Sequence, residues 1–276
     1  TFCVIPYRRG REISRTIDEI IFEIETLTSN GTLEVTLLGQ NVDSYGHDLN
    51  PKVDLSDLLI EVEKIPMIKR IRFLTSHPND MSIKLLETIG SLDKVCESVN
   101  LPFQSGSNRI LANMRRGYTR DQYLSKIDQI KSILPDSTVT TDLIVGFPGE
   151  KEEDFEDSID ILKEVRFDKV HVAAYSERKG TYAFRKIDDN IPVNIKKLRL
   201  NRVNTLQEEI QLELNNKYLN SVYKVLIDGK TKDRFYGRTL GDKLVYIKDI
   251  NSSDLGSIIE TEINDVSPYS LSGSKI

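Results

Sequence analysis

Hydrophobic positions in the first four fifths of the chain follow two alternating patterns. Six longer segments carry apolar residues at helical spacing, as Ile17, Ile20, Ile21 and Ile24 do in the first of them, and helices are predicted at residues 16–30, 55–64, 83–92, 122–134, 153–165 and 195–220. Short apolar or β-branched runs predict strands at residues 33–38, 70–74, 98–103, 138–145 and 169–174. Strict alternation of strands with helices predicts a parallel sheet and the α/β fold class.

The pattern changes after residue 220. Shorter β-branched runs at residues 223–227, 243–247 and 258–263 are separated by turn residues such as Asp228-Gly229. This spacing predicts a small antiparallel β-barrel. We therefore divide the chain into an α/β unit, residues 1–220, and a small barrel, residues 221–276.

Polar residues and glycines follow each of the five predicted strands. These five strand tips are Gly39-Gln40-Asn41, Thr75-Ser76-His77-Pro78, Gln104-Ser105-Gly106-Ser107, Gly146-Phe147-Pro148-Gly149-Glu150 and Tyr175-Ser176-Glu177-Arg178. Ligands of parallel α/β proteins bind at the carboxyl ends of the strands, which lie along one edge of the sheet. The five tips therefore predict one composite site.

Composition limits the classes of partner. No run approaches the roughly 18 apolar residues that a membrane helix needs, and two cysteines with no obvious pairing fit a reducing cytoplasm. The formal net charge of −5 argues against general binding of polyanions, so a nucleic-acid site must be a local patch.

Two local patches are basic. Residues 224–248 carry seven basic residues against three acidic ones, with Phe235 and Tyr236 among them. This stretch is either a surface that grips RNA and stacks a base or an ordinary solvated hairpin. The second patch is the arginine cluster that follows Cys3.

Cys3 raises a question of metal binding. An iron–sulfur cluster needs three or four thiolates gathered in space, and the other cysteine, Cys96, stands 93 positions further along. Cys3 is therefore either an ordinary apolar residue or a ligand whose partners lie outside this sequence. Cys96 is expected to be a core thiol.

Several motifs together resemble those of radical-SAM methylthiotransferases. Residues 3–15, Cys-Val-Ile-Pro-Tyr-Arg-Arg-Gly-Arg-Glu-Ile-Ser-Arg, are similar to the segment after the last cysteine of that family's C-x3-C-x2-C loop. Leu38-Gly39-Gln40-Asn41-Val42 and Thr75-Ser76-His77-Pro78 resemble the subgroup that acts on an isopentenylated adenine in tRNA. Gly237-Arg238-Thr239 and residues 241–245 are similar to the central hairpin of a TRAM domain.

The resemblance implies a fold, cofactors and a reaction. The expected fold is an incomplete parallel (β/α) radical-SAM barrel followed by a TRAM-like barrel that binds RNA. The expected cofactors are S-adenosylmethionine, a 4Fe-4S cluster on Cys3 and two cysteines upstream of Thr1, and a second 4Fe-4S cluster in an absent N-terminal domain. In the implied reaction a radical derived from S-adenosylmethionine activates C2 of adenine 37, which then receives a methylthio group. The chain alone is expected to hold no stable cluster and to be inactive.

The resemblance also assigns residues and partners. The expected cofactor-binding residues are Gly39, Gln40, Asn41, Ser76, Gln104, Ser105, Asp142, Gly146 and Glu150, and the expected metal ligand is Cys3. The expected RNA-binding residues are Arg8, Arg11, Arg115, Lys232, Arg234, Phe235, Arg238 and Lys243. The implied partners are a tRNA anticodon loop and an electron donor such as flavodoxin or ferredoxin. We expect a cytoplasmic monomer with no membrane segment.

Departures and alternatives remain. Asn100, Lys179 and Leu240 stand where the family often has His, Pro and Arg, which affects substrate contacts rather than the class. A sibling activity on threonylcarbamoyl-adenosine and a non-catalytic RNA-binding module stay open. An enzyme of acid–base type ranks last, because the tips carry no clear pair of carboxylates or Ser-His-Asp set.

Overall fold

Five parallel strands form the first part of the protein. The computed structural model describes residues 1–74, 76–232 and 234–276, with only the backbone at Pro6. The strands are β1 (Glu34–Leu37), β2 (Arg70–Phe73), β3 (Ser98–Asn100), β4 (Thr138–Val145) and β5 (Lys169–Ala174). β1 pairs with β2, and β3, β4 and β5 pair in that order. A parallel bridge between Ile71 and Val95 links the two groups. The predicted parallel sheet is confirmed.

Helices alternate with these strands. They are α1 (Ile5–Arg9), α2 (Ile17–Ser29), α3 (Leu55–Glu63), α4 (Ile83–Ser91), α5 (Asn108–Met114), α6 (Arg120–Ile133), α7 (Glu152–Val165), α8 (Tyr182–Lys186) and α9 (Val193–Asn216). Capping boxes at Thr16, Asp54 and Thr119 fix the starts of α2, α3 and α6. The six predicted helices are confirmed. α1, α5 and α8 were not predicted, because five to seven residues are too few to show a helical period.

Each strand of the sheet has one apolar and one polar face. In β4, Val139, Leu143 and Val145 are buried in the main hydrophobic core, whereas Asp142 projects to the other side. Alternation along the paired strands places Glu34, Arg70, Arg72, Cys96, Asn100, Asp142 and His171 on that other side. We call it the polar face.

The C-terminal strands close into a barrel. They are β6 (Val222–Lys230), β7 (Phe235–Arg238), β8 (Leu244–Lys248), β9 (Ile258–Val266) and β10 (Leu271–Lys275), in the order β10-β8-β7-β6-β9. The predicted small barrel is confirmed, although β7 and β10 lie outside the three predicted runs and the direction of one strand pair differs. β10 runs parallel to β8, although the other pairs are antiparallel as predicted. The division at residue 220 stays a prediction.

The small barrel covers the amino ends of the parallel strands. Arg70, the first residue of β2, donates from Nη1 to the carbonyl of Arg238 at 2.8 Å. Thr138, the first residue of β4, donates from Oγ1 to the carbonyl of Gly241 at 2.7 Å. The turn between β7 and β8 thus closes this end of the polar face and leaves the carboxyl ends to the strand tips.

Arg72 forms ion pairs on both sides of this junction. Its Nε donates to Glu34 at 2.6 Å, and its Nη1 pairs with Asp242 in the turn between β7 and β8. Asp242 also accepts from Arg238 at 2.9 Å. The Arg72 side chain is only 10% exposed. Because a buried guanidinium needs acceptors, this ion-pair group fixes where the barrel sits on the sheet.

At the opposite end, Asp43 joins the first two strand tips. It accepts from Ser76 Oγ at 3.0 Å and from the backbone N–H of His77 at 3.3 Å. The Asp43 side chain is buried, and this burial raises its pKa to about 7. A buried carboxyl group therefore holds the loop after β1 against the loop after β2.

The raised pKa of Asp43 predicts a loss of stability with rising pH. Between its ordinary value of 3.8 and its native value of about 7, the native state keeps a proton that the unfolded state has lost, so the free energy of unfolding falls as the pH rises. We expect a loss of about 3 kcal/mol through this group from about pH 5 to about pH 8. Asp43→Asn, which replaces the carboxyl by a neutral amide, removes that loss in urea unfolding, whereas the exposed control Asp48→Asn retains it. Equal pH dependence in both variants would contradict the assignment.

The junction at Asp242 gives a second prediction. Asp242→Asn keeps a residue that tolerates the positive φ of 63° but leaves Arg72 short of a charged partner. We expect the free energy of unfolding to fall by about 1 to 3 kcal/mol, less than for a fully buried pair because Asp242 is partly exposed. Urea titration measures it. The control Glu61→Gln, which breaks the exposed pair with Lys64, should cost less than about 1 kcal/mol; an equal cost would refute the role of the junction.

Candidate active site

Hydrogen bonds between loops hold the strand tips together along the carboxyl edge. Asn41 Nδ2 donates to Asp80 Oδ2 at 2.6 Å, which adds a second link between the first two tips. Asn79 Nδ2 donates to the carbonyl of Gly117 at 3.2 Å, which connects the second tip to the loop after α5. The first two tips and the loop between α5 and α6 are therefore one connected structure.

Tyr118 connects this structure to the third tip. Its hydroxyl lies 3.1 Å from the carbonyl of Phe103 and accepts from Arg116 Nε at 3.1 Å. Its ring packs edge-on against His77, with the ring centres 5.6 Å apart. Tyr118 thus fixes Arg116 between the second and third tips. Burial lowers the pKa of His77, and the nearby charge of Arg116 lowers it further.

Gln104 lies where the third tip meets β4. Its N–H donates to the carbonyl of Asp142 at 2.9 Å, and its carbonyl accepts from Ile144 at 3.0 Å. Its φ of 65° lies in the left-handed region, so the backbone turns sharply there. The side-chain Oε1 is buried and has no hydrogen-bond donor among the described residues. Gln104 therefore presents a free acceptor at the edge of the sheet.

The fourth tip is a tight turn supported from behind by α9. Gly146 has a φ of 70°, and a Cβ added there would come within 2.4 Å of Lys196 Cγ. Its N–H donates to Glu150 Oε2 at 2.6 Å, and Arg199 Nη1 donates to the same oxygen at 2.7 Å. Lys196 in turn pairs with Asp189. Only glycine fits at position 146, and two buried cations of α9 support the turn.

Burial dominates the electrostatics of Glu150. It raises the pKa to about 7, although the Gly146 N–H and the Arg199 guanidinium both favour the charged form. The Glu150 side chain is fully enclosed. Its predicted direct contact with a cofactor stays a prediction, and the contacts it makes are those that hold the fourth tip.

The N-terminal segment lies against the fourth tip. Phe2 packs edge-on against Phe147 with ring centres 6.3 Å apart, and the amino group of Thr1 donates to the carbonyl of Met114 at 3.3 Å. The backbone N–H of Ala183 donates to the carbonyl of Thr1 at 3.1 Å. Cys3 follows directly and is exposed. The structure thus places the predicted metal ligand beside the predicted cofactor site.

A small apolar cluster makes this arrangement possible. We call it the rim cluster; its buried members are Ile110, Met114, Phe147, Tyr175 and Ala183, with Phe2, Ile144 and Ile187 packed against it. It joins α5, the fourth and fifth tips, α8 and the N-terminal segment. No sequence period signals it, because its members come from five separate elements.

Asp142 is the acidic residue of the polar face nearest this edge. Burial raises its pKa, while His171, Asn100 and Arg116 oppose the shift. His171 stands opposite it in register on β5. Asp142 therefore lies among polar and cationic side chains that face a common space.

The first tip opens onto a groove along the free edge of β1. The groove has a volume of about 740 Å³ and is lined by Gly39, Gln40 and Asn41, by Arg9 and Arg11, and by apolar residues such as Ile20. Asn41 Oδ1 is buried without a hydrogen-bond donor among the described residues. Gln40 thus lies on the same edge as Gln104 and Gly146, on the side of β1.

The two predicted serine ligands are enclosed in protein. Ser76 is 4% exposed and bonded to Asp43, and Ser105 is 1% exposed and accepts from the N–H of Ser107 at 3.3 Å. Their predicted contact with a cofactor stays a prediction. Thr75, in the same tip as Ser76, lies outside the described residues.

The predicted RNA-binding residues fall into separate groups. Arg8, Arg11 and Arg115 are exposed, and the Arg115 guanidinium lies 4.2 Å above the ring centre of Tyr182. Lys232 and Arg234 are exposed on the small barrel, with Arg234 over the ring of Tyr246 at 4.7 Å. Asp233, between them, lies outside the described residues.

Three of the predicted residues on the small barrel are occupied by protein contacts. Phe235 is 8% exposed and belongs to the barrel core, which corrects the expectation that its ring is open to a base. Arg238 pairs with Asp242. Lys243 is 11% exposed and pairs with Asp168 at 2.8 Å. Arg238 and Lys243 thus stabilise the junction with the sheet, and RNA contact by them stays a prediction.

Sequence reasoning missed three supporting residues. Lys196 and Arg199 have the pattern of surface charges on an outer helix, and the sequence assigns no role to Tyr118. Lys196 and Arg199 are each 5% exposed. The run of cations in α9 was the only signal, because their buried partners are distant in sequence.

The metal-binding and hydrogen-bonding groups of the described residues indicate which cofactor they fit. They contain no group of three His, Cys, Asp or Glu side chains that could hold a metal ion. Cys3 alone falls short of the three thiolates that an iron–sulfur cluster needs. The free acceptors on Gln104 and Asn41 and the guanidinium of Arg116 instead suit a ligand that carries both an amino and a carboxylate group.

No helix in the part of the chain that the structure describes combines the length and apolarity needed to cross a bilayer.

Several curated proteins are similar to this chain. The chain is 48% identical over 274 residues to a tRNA-2-methylthio-N(6)-dimethylallyladenosine synthase of Dehalococcoides mccartyi, covering 98% of this chain and 65% of that protein. It is 47% identical over 277 residues to the protein of the same name from Acetivibrio thermocellus, covering 99% and 57%. The chain therefore spans about 57 to 65% of the length of these curated relatives.

A solved structure shares the fold. Methylornithine synthase aligns with a TM-score of 0.50 and 19% identity over 74% of this chain and 58% of its own. The sequence pattern of the Radical SAM superfamily matches residues 1–162, more than half of the chain. With the strand tips gathered on one edge, Cys3 beside them and this match across the same residues, the chain belongs to the radical SAM superfamily.

Proposed function

We propose that this chain is the cofactor-binding and RNA-contacting part of a tRNA methylthiotransferase. The enzyme would add a methylthio group to C2 of N6-isopentenyladenosine at position 37 of tRNA. The observation that carries the proposal is the free buried acceptor of Gln104, whose backbone carbonyl is hydrogen-bonded to Ile144 beside the rim cluster, against which Phe2, next to Cys3, also packs. The names of the relatives with 47 to 48% identity supply the substrate and the reaction.

The described residues provide a cradle for S-adenosylmethionine. The amino group of its methionyl part would donate to free oxygens such as Gln104 Oε1, and Arg116 would hold the carboxylate. The turn at Gly146 would let the nucleoside approach the backbone closely, since no side chain stands there. S-adenosylmethionine, when bound and reduced, supplies the radical that removes a hydrogen atom.

The 4Fe-4S cluster belongs to the proposal as a family property. Cys3 would be one ligand, the two further cysteines would precede Thr1 in the gene product, and a second cluster would lie in a further domain. An electron donor such as flavodoxin or ferredoxin would reduce the first cluster, and the enzyme would be a cytoplasmic monomer.

The RNA would reach this site as an unstacked anticodon loop. Bases in such loops can be splayed out of the stack and enter a pocket. Arg8, Arg11 and Arg115 are exposed on the α/β unit, and Lys232 and Arg234 on the small barrel. The barrel would serve as a TRAM-like RNA-binding domain. A sibling activity on threonylcarbamoyl-adenosine is the second candidate, since the same cradle would serve it.

Gln104 gives the test of the cofactor cradle. Gln104→Asn keeps an amide and a residue that tolerates positive φ, but it withdraws the acceptor by one methylene. Hydrogen bonds to charged groups contribute about 1.5 to 3 kcal/mol, so S-adenosylhomocysteine should bind at least about tenfold more weakly. Equilibrium dialysis with the reconstituted complete gene product measures this. Gln129→Leu on α6 is the control, and equal affinity in all three proteins would contradict the cradle.

Nucleoside analysis tests the reaction. In tRNA from a strain that lacks the gene, we expect N6-isopentenyladenosine without its 2-methylthio derivative, since the proposed enzyme makes that conversion. The complete gene supplied in trans should restore the derivative, whereas a copy with Cys3→Ala should not. Loss of the methylthio derivative of threonylcarbamoyl-adenosine would instead identify the sibling activity, and an unchanged nucleoside profile would refute both.

A further inference from the structure

A cluster of cations lies on and before α8, apart from the residues of the cofactor cradle and the small barrel. Arg178, Lys179, Arg185 and Lys186 are all exposed, and residues 178–187 contain no acidic residue, although Glu177, Asp188 and Asp189 flank this stretch. We call these four residues the α8 patch. In a chain with a net charge of −5, four basic residues within nine positions are a strong local concentration of charge.

The α8 patch lacks the ion pairs that several other cations of the α/β unit have. Arg109, Arg120, Lys196 and Arg199 each pair with a carboxylate. None of the four patch residues does so within the described part of the chain. Unpaired cations on a fixed surface keep their charge available for an external anion.

The patch is held rigidly at the rim of the site. Thr181 is fully buried; its Oγ1 donates to the carbonyl of Arg178 at 2.8 Å and accepts from the N–H of Phe184 at 3.2 Å. Ala183 is also fully buried, in the rim cluster, and its N–H bonds to Thr1. The backbone that carries these cations is therefore anchored to the N-terminal segment that precedes Cys3.

Aromatic rings lie among these cations. Phe184 is 40% exposed between Thr181 and the two basic residues that end α8. The preceding ring, Tyr182, is covered by the guanidinium of Arg115 at 4.2 Å, which adds a fifth cation to the same area. Exposed aromatic and guanidinium groups side by side suit RNA, because bases stack on the rings while the cations hold phosphates. An acidic protein would also bind these cations, and competition with poly-aspartate distinguishes it from RNA.

We propose that the α8 patch, with Arg115 and Phe184, is a contact surface for the RNA strand that leads into the strand-tip site. The inference rests on the proposed function and adds to it a surface on the α/β unit, separate from the small barrel. Cations would bind the phosphates next to the reacting nucleotide, and Phe184 would stack on a neighbouring base.

The test compares two variants that each lack four positive charges. The patch variant is Arg178→Gln/Lys179→Gln/Arg185→Gln/Lys186→Gln. The matched control is Lys52→Gln/Lys163→Gln/Lys197→Gln/Lys217→Gln, which removes four exposed cations that lie outside the α8 patch. Fluorescence anisotropy of a labelled anticodon stem-loop RNA, measured over a range of salt concentrations with the complete gene product, gives the affinity and its salt dependence.

We expect the patch variant to bind RNA at least about tenfold more weakly at low salt. The salt slope, which is the change in the logarithm of the binding constant with the logarithm of the salt concentration, should be smaller in magnitude by about 0.7 to 0.9 for every phosphate that the variant no longer neutralises. The control variant should keep the affinity of the unaltered protein, and its slope should differ by no more than about one phosphate. Phe184→Ala should lower the affinity about tenfold while leaving the slope unchanged, because base stacking releases no counterions.

The outcomes separate the surface from the function. If the unaltered protein binds the RNA and the patch variant binds it with the same slope, or the control is weakened as much, the surface is refuted and the proposed function stands. If the unaltered protein does not bind the RNA, both are refuted. Displacement of the RNA by poly-aspartate as effectively as by unlabelled RNA of equal charge would also refute the surface, since it would indicate a site for acidic protein.

Discussion

Burial of charge on the polar face of the parallel sheet is the constraint on which the structure depends. Arg70 and Arg72 are nearly inaccessible to solvent at the start of β2, where an unpartnered guanidinium would destabilise the fold. The turn between β7 and β8 supplies the acceptors they lack, through the Arg238 carbonyl and Asp242. The small barrel therefore stabilises the buried guanidinium groups of the sheet, in addition to any surface it offers to RNA.

At the carboxyl edge of the sheet, buried polar groups find their partners in a different way. There the buried polar groups are satisfied by one another, as Asp43 is by Ser76, or they are left with a free acceptor, as Gln104 is. A satisfied group fixes the position of a loop, whereas a free one is costly to bury unless a ligand completes it. The distinction separates residues that build the site from residues that can contact its occupant.

The sequence predicted the parallel strands and the longer helices well because those depend on local periodicity. It also predicted that the tips meet at one edge, since parallel strands end together. It could not reveal the parallel pairing of β10 with β8, because the direction of a closing strand depends on distant partners. Nor could it separate Phe235 in the barrel core from Phe184 on the surface, or the buried Arg199 from its exposed neighbours in α9, because these differences arise only when separate elements pack.

Helix α9 connects the two ends of the protein. Near its start Lys196 and Arg199 support the turn at Gly146, and at its end Asn215 donates to the carbonyl of Ser267 in the small barrel at 2.8 Å. Its 24 residues span roughly 36 Å at 1.5 Å per residue. Inserting a single residue in the middle would turn one end about 100° against the other and pull one set of contacts away. The length of the helix thus fixes the distance between these two sets of contacts. Insertions and deletions during evolution should therefore be confined to loops outside the helix.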